Sequence, residues 1–285
     1  GRMALVAEPA EIPGIRSWAV ETRGHRGAVH AVAYRPDGRF LATGCEDGVV
    51  RLWDPATGWF VLALVGHEAG VRSLAWSPDG ETLALTYNER FSSLVDEEQR
   101  VGLLDVASGD LEMISDPDRH ASLAAFSPDG RTLAWYRDRG DDLRAYLNLK
   151  DLFLRDMASG ETRNLTDGTP LCLSGYGSTP ADPPYWSPDG RHVYLRVAAG
   201  RDMGVYHADV SSGELKPVTD LPGNVSSLHV AAGVMAFRES ELHRPGAVWA
   251  GEPGRARWLD DTDDAVAPHA LAPPLRLELP GHAGV

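Results

Sequence analysis

Four copies of one tripeptide turn constrain this chain more than any other feature. Pro36-Asp37-Gly38, Pro78-Asp79-Gly80, Pro128-Asp129-Gly130 and Pro188-Asp189-Gly190 begin 42, 50 and 60 residues apart. A short apolar run precedes each turn (VHAVAY, VRSLAW, SLAAF, PPYW), and another follows it (FLATG, TLALTY, TLAWY, HVYLR). Proline presets φ for the second turn position, while aspartate and glycine accept the bend that follows, so each copy reads as strand, tight turn, strand.

Each unit then continues in the same way. A third apolar run follows (VVRLWD, RVGLLDV, NLKDLFLRDM, MGVYHADV), and after it a second turn at Thr57-Gly58, Ser108-Gly109, Ser159-Gly160 or Ser212-Gly213. Outer-strand candidates WFVLAL, DLEMI, ETRNLT and ELKPVT close the units. A fifth unit lacks the Pro-Asp-Gly turn but keeps the order: VSSLHVAA, Gly233, VMAFRES, AVWAGE, Pro253-Gly254, RARWLD. A four-stranded unit repeating every 40 to 60 residues predicts an all-β chain folded as a β-propeller.

The expected organisation is one domain over residues 1–285, with blades at 24–65, 66–115, 120–168, 181–220 and 224–259. Residues 4–22 and 262–285 are expected to form a composite sixth blade, because an open stack would leave apolar faces and strand edges bare. Seven blades, or an incomplete ring cut from a longer protein, are the alternatives. The stretches FSSLVDEEQR, DRGDDLRAYLN and LCLSGYGSTPADP interrupt the pattern and are expected to be loops that carry specificity.

Gly24-His25 followed by VHAVAYRPDG, FLATGCEDG and VVRLWD resembles the WD-repeat family, and Gly66-His67 followed by VRSLAWSPDG repeats the first half of that pattern. The resemblance implies that His25, Thr43, Asp47 and Trp53 form a structural hydrogen-bond network, one that a folded blade keeps saturated. Leu104 stands where the second unit would carry its Trp. On this reading Trp53→Ala costs more than Leu104→Ala. Later units, above all LFLRDMASGETRNLTDG and PPYWSPDGRHVYL, are more similar to propellers of the Tol-associated periplasmic protein and the prolyl oligopeptidase class.

Chemistry is sparse by comparison. The chain has no Gly-X-Ser-X-Gly elbow, no His-Glu-X-X-His helix, and no phosphate-binding or dinucleotide glycine loop. No catalytic residue, metal or cofactor is therefore expected. The acidic runs at 96–98, 141–142 and 260–264 read as solvated loops. A balance of 41 acidic against 27 basic residues gives net charge -14, which opposes nucleic acid and anionic membranes as partners. No apolar run reaches the length of a spanning helix, so no membrane insertion is expected. Cys45 and Cys172 are too few for a disulfide framework; they leave the compartment open, with the cytoplasm favoured.

Aligning the starts of the inner strands places His30, Arg72, Ser122, Asp182 and Ser226 at comparable heights round the ring, near one mouth of the channel. An imidazole, a guanidinium, a carboxylate and two hydroxyls can orient a polar peptide or a small polar ligand. The expected function is non-catalytic binding of a protein or peptide through this mouth and the loops. A small-molecule lyase or hydrolase using polar residues at the mouth, where His30 with Asp182 could form an acid/base pair, and the propeller part of a larger peptidase or other multidomain protein, are the alternatives.

Overall fold

The computed structural model describes residues 24–64, 70–88, 99–117, 119–139, 149–173, 182–199, 202–219, 223–241 and 244–260. These carry 21 strands, and among the described residues there is no helix. The first antiparallel sheet contains β1 (Val29–Tyr34), β2 (Leu41–Cys45), β3 (Val50–Asp54) and β4 (Trp59–Leu64), in that order. The second contains β5 (Val71–Trp76), β6 (Thr82–Asn88), β7 (Gln99–Asp105) and β8 (Leu111–Met113). The third contains β9 (Ala121–Phe126), β10 (Thr132–Asp138), β11 (Lys150–Asp156) and β12 (Thr162–Asn164).

The fourth sheet departs from this plan. Two short pieces, β13 (Cys172–Leu173) and β14 (Tyr185–Trp186), both pair with β15 (His192–Ala199), followed by β16 (Asp202–Asp209) and β17 (Leu215–Pro217). The fifth holds β18 (Asn224–Ala231), β19 (Val234–Glu241), β20 (Arg244–Gly251) and β21 (Arg257–Asp260). A single parallel bridge, Met203 to Asn224, ties it to the fourth. The sequence pattern starts the fourth unit at 181, but Cys172 and Leu173 already belong to its inner strand.

The Pro-Asp-Gly signals fold as read. Gly80, Gly130 and Gly190 have φ of 73°, 71° and 69°, and each donates its N–H to the carbonyl of Ser77, Ser127 or Ser187 at 2.9 Å. The same serine hydroxyl donates to the turn aspartate (2.5 to 2.7 Å) and accepts the first N–H of the next strand at 2.9 Å. These bonds let the turn close before any long-range contact forms.

Second and third strands bury both faces because sheet packs on sheet. Four apolar cores result, each shared by two consecutive sheets: Leu52 and Val50 with Trp76, Leu83 and Leu104; Ala84 and Val101 with Leu133 and Trp135; Tyr136 and Leu152 with Val193 and Leu195; Tyr194 and Val205 with Val225 and Phe237. Indole donors bolt the inner strands together, Trp76 Nε1 to the Ala33 carbonyl and Trp186 Nε1 to the Ala125 carbonyl, each at 3.0 Å. This sequential face-to-face stacking is the arrangement of a β-propeller. Val29, Val32 and Tyr34 on the first sheet, and Val248, Trp258 and Leu259 on the fifth, stay exposed. The composite blade expected from 4–22 and 262–285 lies outside the described residues, as do His67 and the acidic runs at 96–98, 141–142 and 261–264.

Candidate functional site

The inner strands share a defect that the sequence pattern does not announce. Val29 and Ala31 pair with consecutive residues Cys45 and Gly44, so His30 is an extra residue, a β-bulge. Val71 and Ser73 do the same against Tyr87 and Thr86, which bulges Arg72. Val225 and Ser227 oppose Glu239 and Arg238, bulging Ser226. A bulge re-aims the side chain that it carries. In the third sheet Ser122 stays in register with Tyr136, and the extra residue falls among Leu123 and Ala124; Leu123 accordingly takes a left-handed φ of 58°. In the fourth sheet two separate pieces, β13 and β14, take the place of one inner strand, and Asp182 lies just ahead of β14.

Of the five positions expected at the mouth, His30 and Arg72 come into direct contact. Arg72 Nη1 meets His30 Nε2 at 2.9 Å across the boundary between the first two sheets. Guanidinium nitrogens only donate, so His30 accepts at Nε2 and carries its proton on Nδ1. His30 is exposed and Arg72 half-buried. Ser122 is buried, and the Ser226 hydroxyl donates to the Arg238 carbonyl at 3.4 Å.

Asp182 turns to Arg196 rather than to His30. The Arg196 side chain is fully buried and forms an ion pair with Asp182, while its Nη1 donates to the Val225 carbonyl of the fifth sheet at 3.2 Å. Burial raises the Asp182 carboxyl above the ordinary range against the pull of Arg196. Tyr185 beside it donates its hydroxyl to the Leu228 carbonyl at 2.9 Å, and burial with the Asp182 charge pushes its pKa up to about 12. This cluster couples two blades mechanically.

The second group of expected residues lies in the first sheet. The Thr43 hydroxyl accepts from Trp53 Nε1 at 2.7 Å and meets His25 Nε2 at 2.6 Å, while donating to the Arg51 carbonyl at 3.4 Å. Arg51 bridges His25 and Asp47. Its Nη1 lies 2.8 Å from His25 Nδ1, and 3.2 and 3.0 Å from the two Asp47 oxygens. Nδ1 therefore accepts, and Nε2–H is the donor to Thr43. Burial acts to raise the Asp47 carboxyl, but Arg51 and the Arg26 N–H outweigh it and hold the group well below the usual carboxylate range.

Ligand atoms of His25, Cys45 and Asp47 lie within 4.8 Å of one another, a nitrogen, sulfur and oxygen set that could ligate a transition metal. The Arg51 guanidinium already supplies a fixed cation there, bonded to two of the three, and burial raises the Cys45 thiol away from the thiolate that a metal requires. The set reads as structural. Sequence reasoning missed both Arg51 and Arg196. The available signal was an arginine inside an otherwise apolar strand, in VVRLWD and in HVYLRVAA, since a charge buried there needs a partner.

Residues 18–54 and 58–86 match the WD domain, G-beta repeat. A ribosome biogenesis protein ERB1 of Yarrowia lipolytica is 48% identical over 40 residues, 14% of this chain and 5% of that protein. A serine-threonine kinase receptor-associated protein of Bos taurus is 47% identical over 36 residues, 13% of this chain and 10% of the relative. The chain thus spans only 5% and 10% of these relatives' length. Among solved structures, a TolB protein of Agrobacterium tumefaciens superimposes with a TM-score of 0.61 at 21% identity, covering 82% of this chain and 81% of that one. A prolyl endopeptidase structure reaches 0.57 at 15% identity, over 80% of this chain and 35% of the other. At these identities the structural likeness is one of fold, a β-propeller, and the WD-repeat match is confined to the N-terminal part of the chain.

Proposed function

We propose that this protein is a non-catalytic binding propeller that holds a peptide segment of a protein partner at the channel mouth. The observation that carries the reading is the bulge shared by inner strands, which sets His30, Arg72 and Ser226 apart from the ladder bonds of their neighbours. The Arg72–His30 pair offers a guanidinium whose planar donors suit a carboxylate or a backbone carbonyl. WD-repeat relatives, one of them named for its association with a receptor, support a role in protein interaction. With Asp182 engaged by Arg196, the pairing with His30 on which an acid/base reading rests has no support.

Cross-linking from the native source, followed by titration of the purified chain with the partner's cross-linked segment, tests this. The expected result is a cross-link within reach of the mouth and at least tenfold weaker binding by His30→Ala and Arg72→Ala proteins that fold normally. Cross-links confined to outer strands, or affinity unchanged in both variants, would overturn it.

A further inference from the structure

At the end of the sheets opposite the mouth, beside the Pro188-Asp189-Gly190 turn, β15 and β16 bring two histidines together. His192 stands across the ladder from Asp209 and His207 from Tyr194, which makes the two imidazoles diagonal neighbours on one face. Their ring centroids are 4.6 Å apart and the planes are inclined by 58°. Both border a cavity of about 260 Å³, walled by Tyr194, Pro217, Val218 and the Pro253-Gly254 turn of the fifth sheet.

A carboxylate completes the group. Asp209 Oδ2 lies 3.9 Å from His192 Nε2. The bonds from Ser211 and Ser212, two N–H and two hydroxyl, all go to Asp209 Oδ1 at 2.6 to 3.0 Å, leaving Oδ2 turned to the imidazole. Lys216, across the ladder from His207, is itself paired with Glu214 at 2.9 Å, which offsets its charge.

We infer that His192, His207 and Asp209 Oδ2 form a binding site for a divalent first-row transition ion such as Zn²⁺, Ni²⁺ or Cu²⁺. Two imidazole nitrogens and one carboxylate oxygen suit these borderline ions, whereas Ca²⁺ and Mg²⁺ prefer sets made of oxygen alone. The three ligand atoms do not all lie within 4.8 Å of one another, so ion binding requires the rings to turn, a motion that the broad outer torsion of histidine permits. The cavity gives the ion room to keep a water or accept a further ligand.

The untagged full chain, freed of metal by chelation, is titrated with Zn²⁺ by calorimetry, and with Cu²⁺ by electron paramagnetic resonance. One saturable equivalent is expected, with a Cu²⁺ spectrum showing two imidazole nitrogens, and at least tenfold weaker binding in His192→Asn and in His207→Asn. Zn²⁺ that fails to saturate by millimolar concentration overturns the site, as does tight binding that neither substitution weakens. A Cu²⁺ spectrum of the unsubstituted chain that lacks two imidazole nitrogens also overturns the site, whether or not the variants fold.

Discussion

Replacing Arg51 by methionine is the sharpest test of how the first blade is held. The Arg51 side chain is fully buried, and Asp47 nearly so. Methionine fills much of the same volume but withdraws the donor from His25 Nδ1 and the cation from Asp47. Breaking a buried ion pair by removing one partner costs about 3 to 5 kcal/mol. Asp47 still accepts from the Arg26 N–H at 3.0 Å and the Val49 N–H at 3.2 Å, which places the expected loss near the lower end, about 3 kcal/mol. Native-state hydrogen exchange reads this locally, through the β2 and β3 amides, and such a loss speeds their exchange roughly 100-fold. The Arg51→Met, Asp47→Asn double variant leaves no uncompensated carboxylate, so its loss is expected to be smaller than the sum of the single losses. Acceleration below about fivefold in Arg51→Met, where 1.4 kcal/mol is tenfold, would refute the claim that the guanidinium holds the blade together.

Further outcomes follow from the packing. Leu104 is 1% exposed inside the first core while Trp53 is half-buried, and Thr43 keeps its His25 partner when the indole is removed. On this burial the opposite order to that expected from sequence is predicted, and urea denaturation should show Leu104→Ala costing about 3 kcal/mol against about 2 for Trp53→Ala. A Cβ on Gly44 meets Val71 Cγ1 at 2.6 Å; Gly44→Val should part the first two sheets and lower stability by about 1 to 3 kcal/mol in the same assay. Burial, with the Lys150 charge, pushes the His120 imidazole down to about 4. Its folded value lies below its unfolded one, so its contribution is complete above about pH 6.5 and is lost as pH falls toward 4; with the ring 23% exposed, the loss is about 2 kcal/mol. A His120→Gln protein should show a correspondingly flatter stability profile across that window. If residues 4–22 and 262–285 form the proposed closing blade over Val29, Val32, Tyr34, Val248, Trp258 and Leu259, deleting 262–285 should raise binding of a hydrophobic dye and speed exchange in the first and fifth sheets; no change in either measurement would reject that blade.

The repeat, the strand order and the turn chemistry were legible in the sequence because each is a local matter. Proline and glycine fix backbone angles within four residues, and alternating apolar runs betray strands wherever they end up. Positions such as His25, Thr43 and Trp53 were recognisable because their spacing repeats a known blade pattern. The extra residue at His30, Arg72 and Ser226 was not legible, since a bulge is defined by the partner strand and leaves no mark in its own. The His30–Arg72 contact spans 42 positions, and Asp182 could be matched to His30 or Arg196 only once the fourth inner strand was seen to break. Arg51 and Arg196 were readable as anomalies, charges within apolar runs, but not as links. What an arginine buried between two sheets touches depends on how those sheets stack, and stacking is the sum of four apolar cores formed by residues far apart in the chain. Sequence determined the blades; tertiary packing decided which polar groups the inner-strand bulges re-aim, which are consumed in holding blade to blade, and which, like His192 and His207, meet on a face that no local pattern marks.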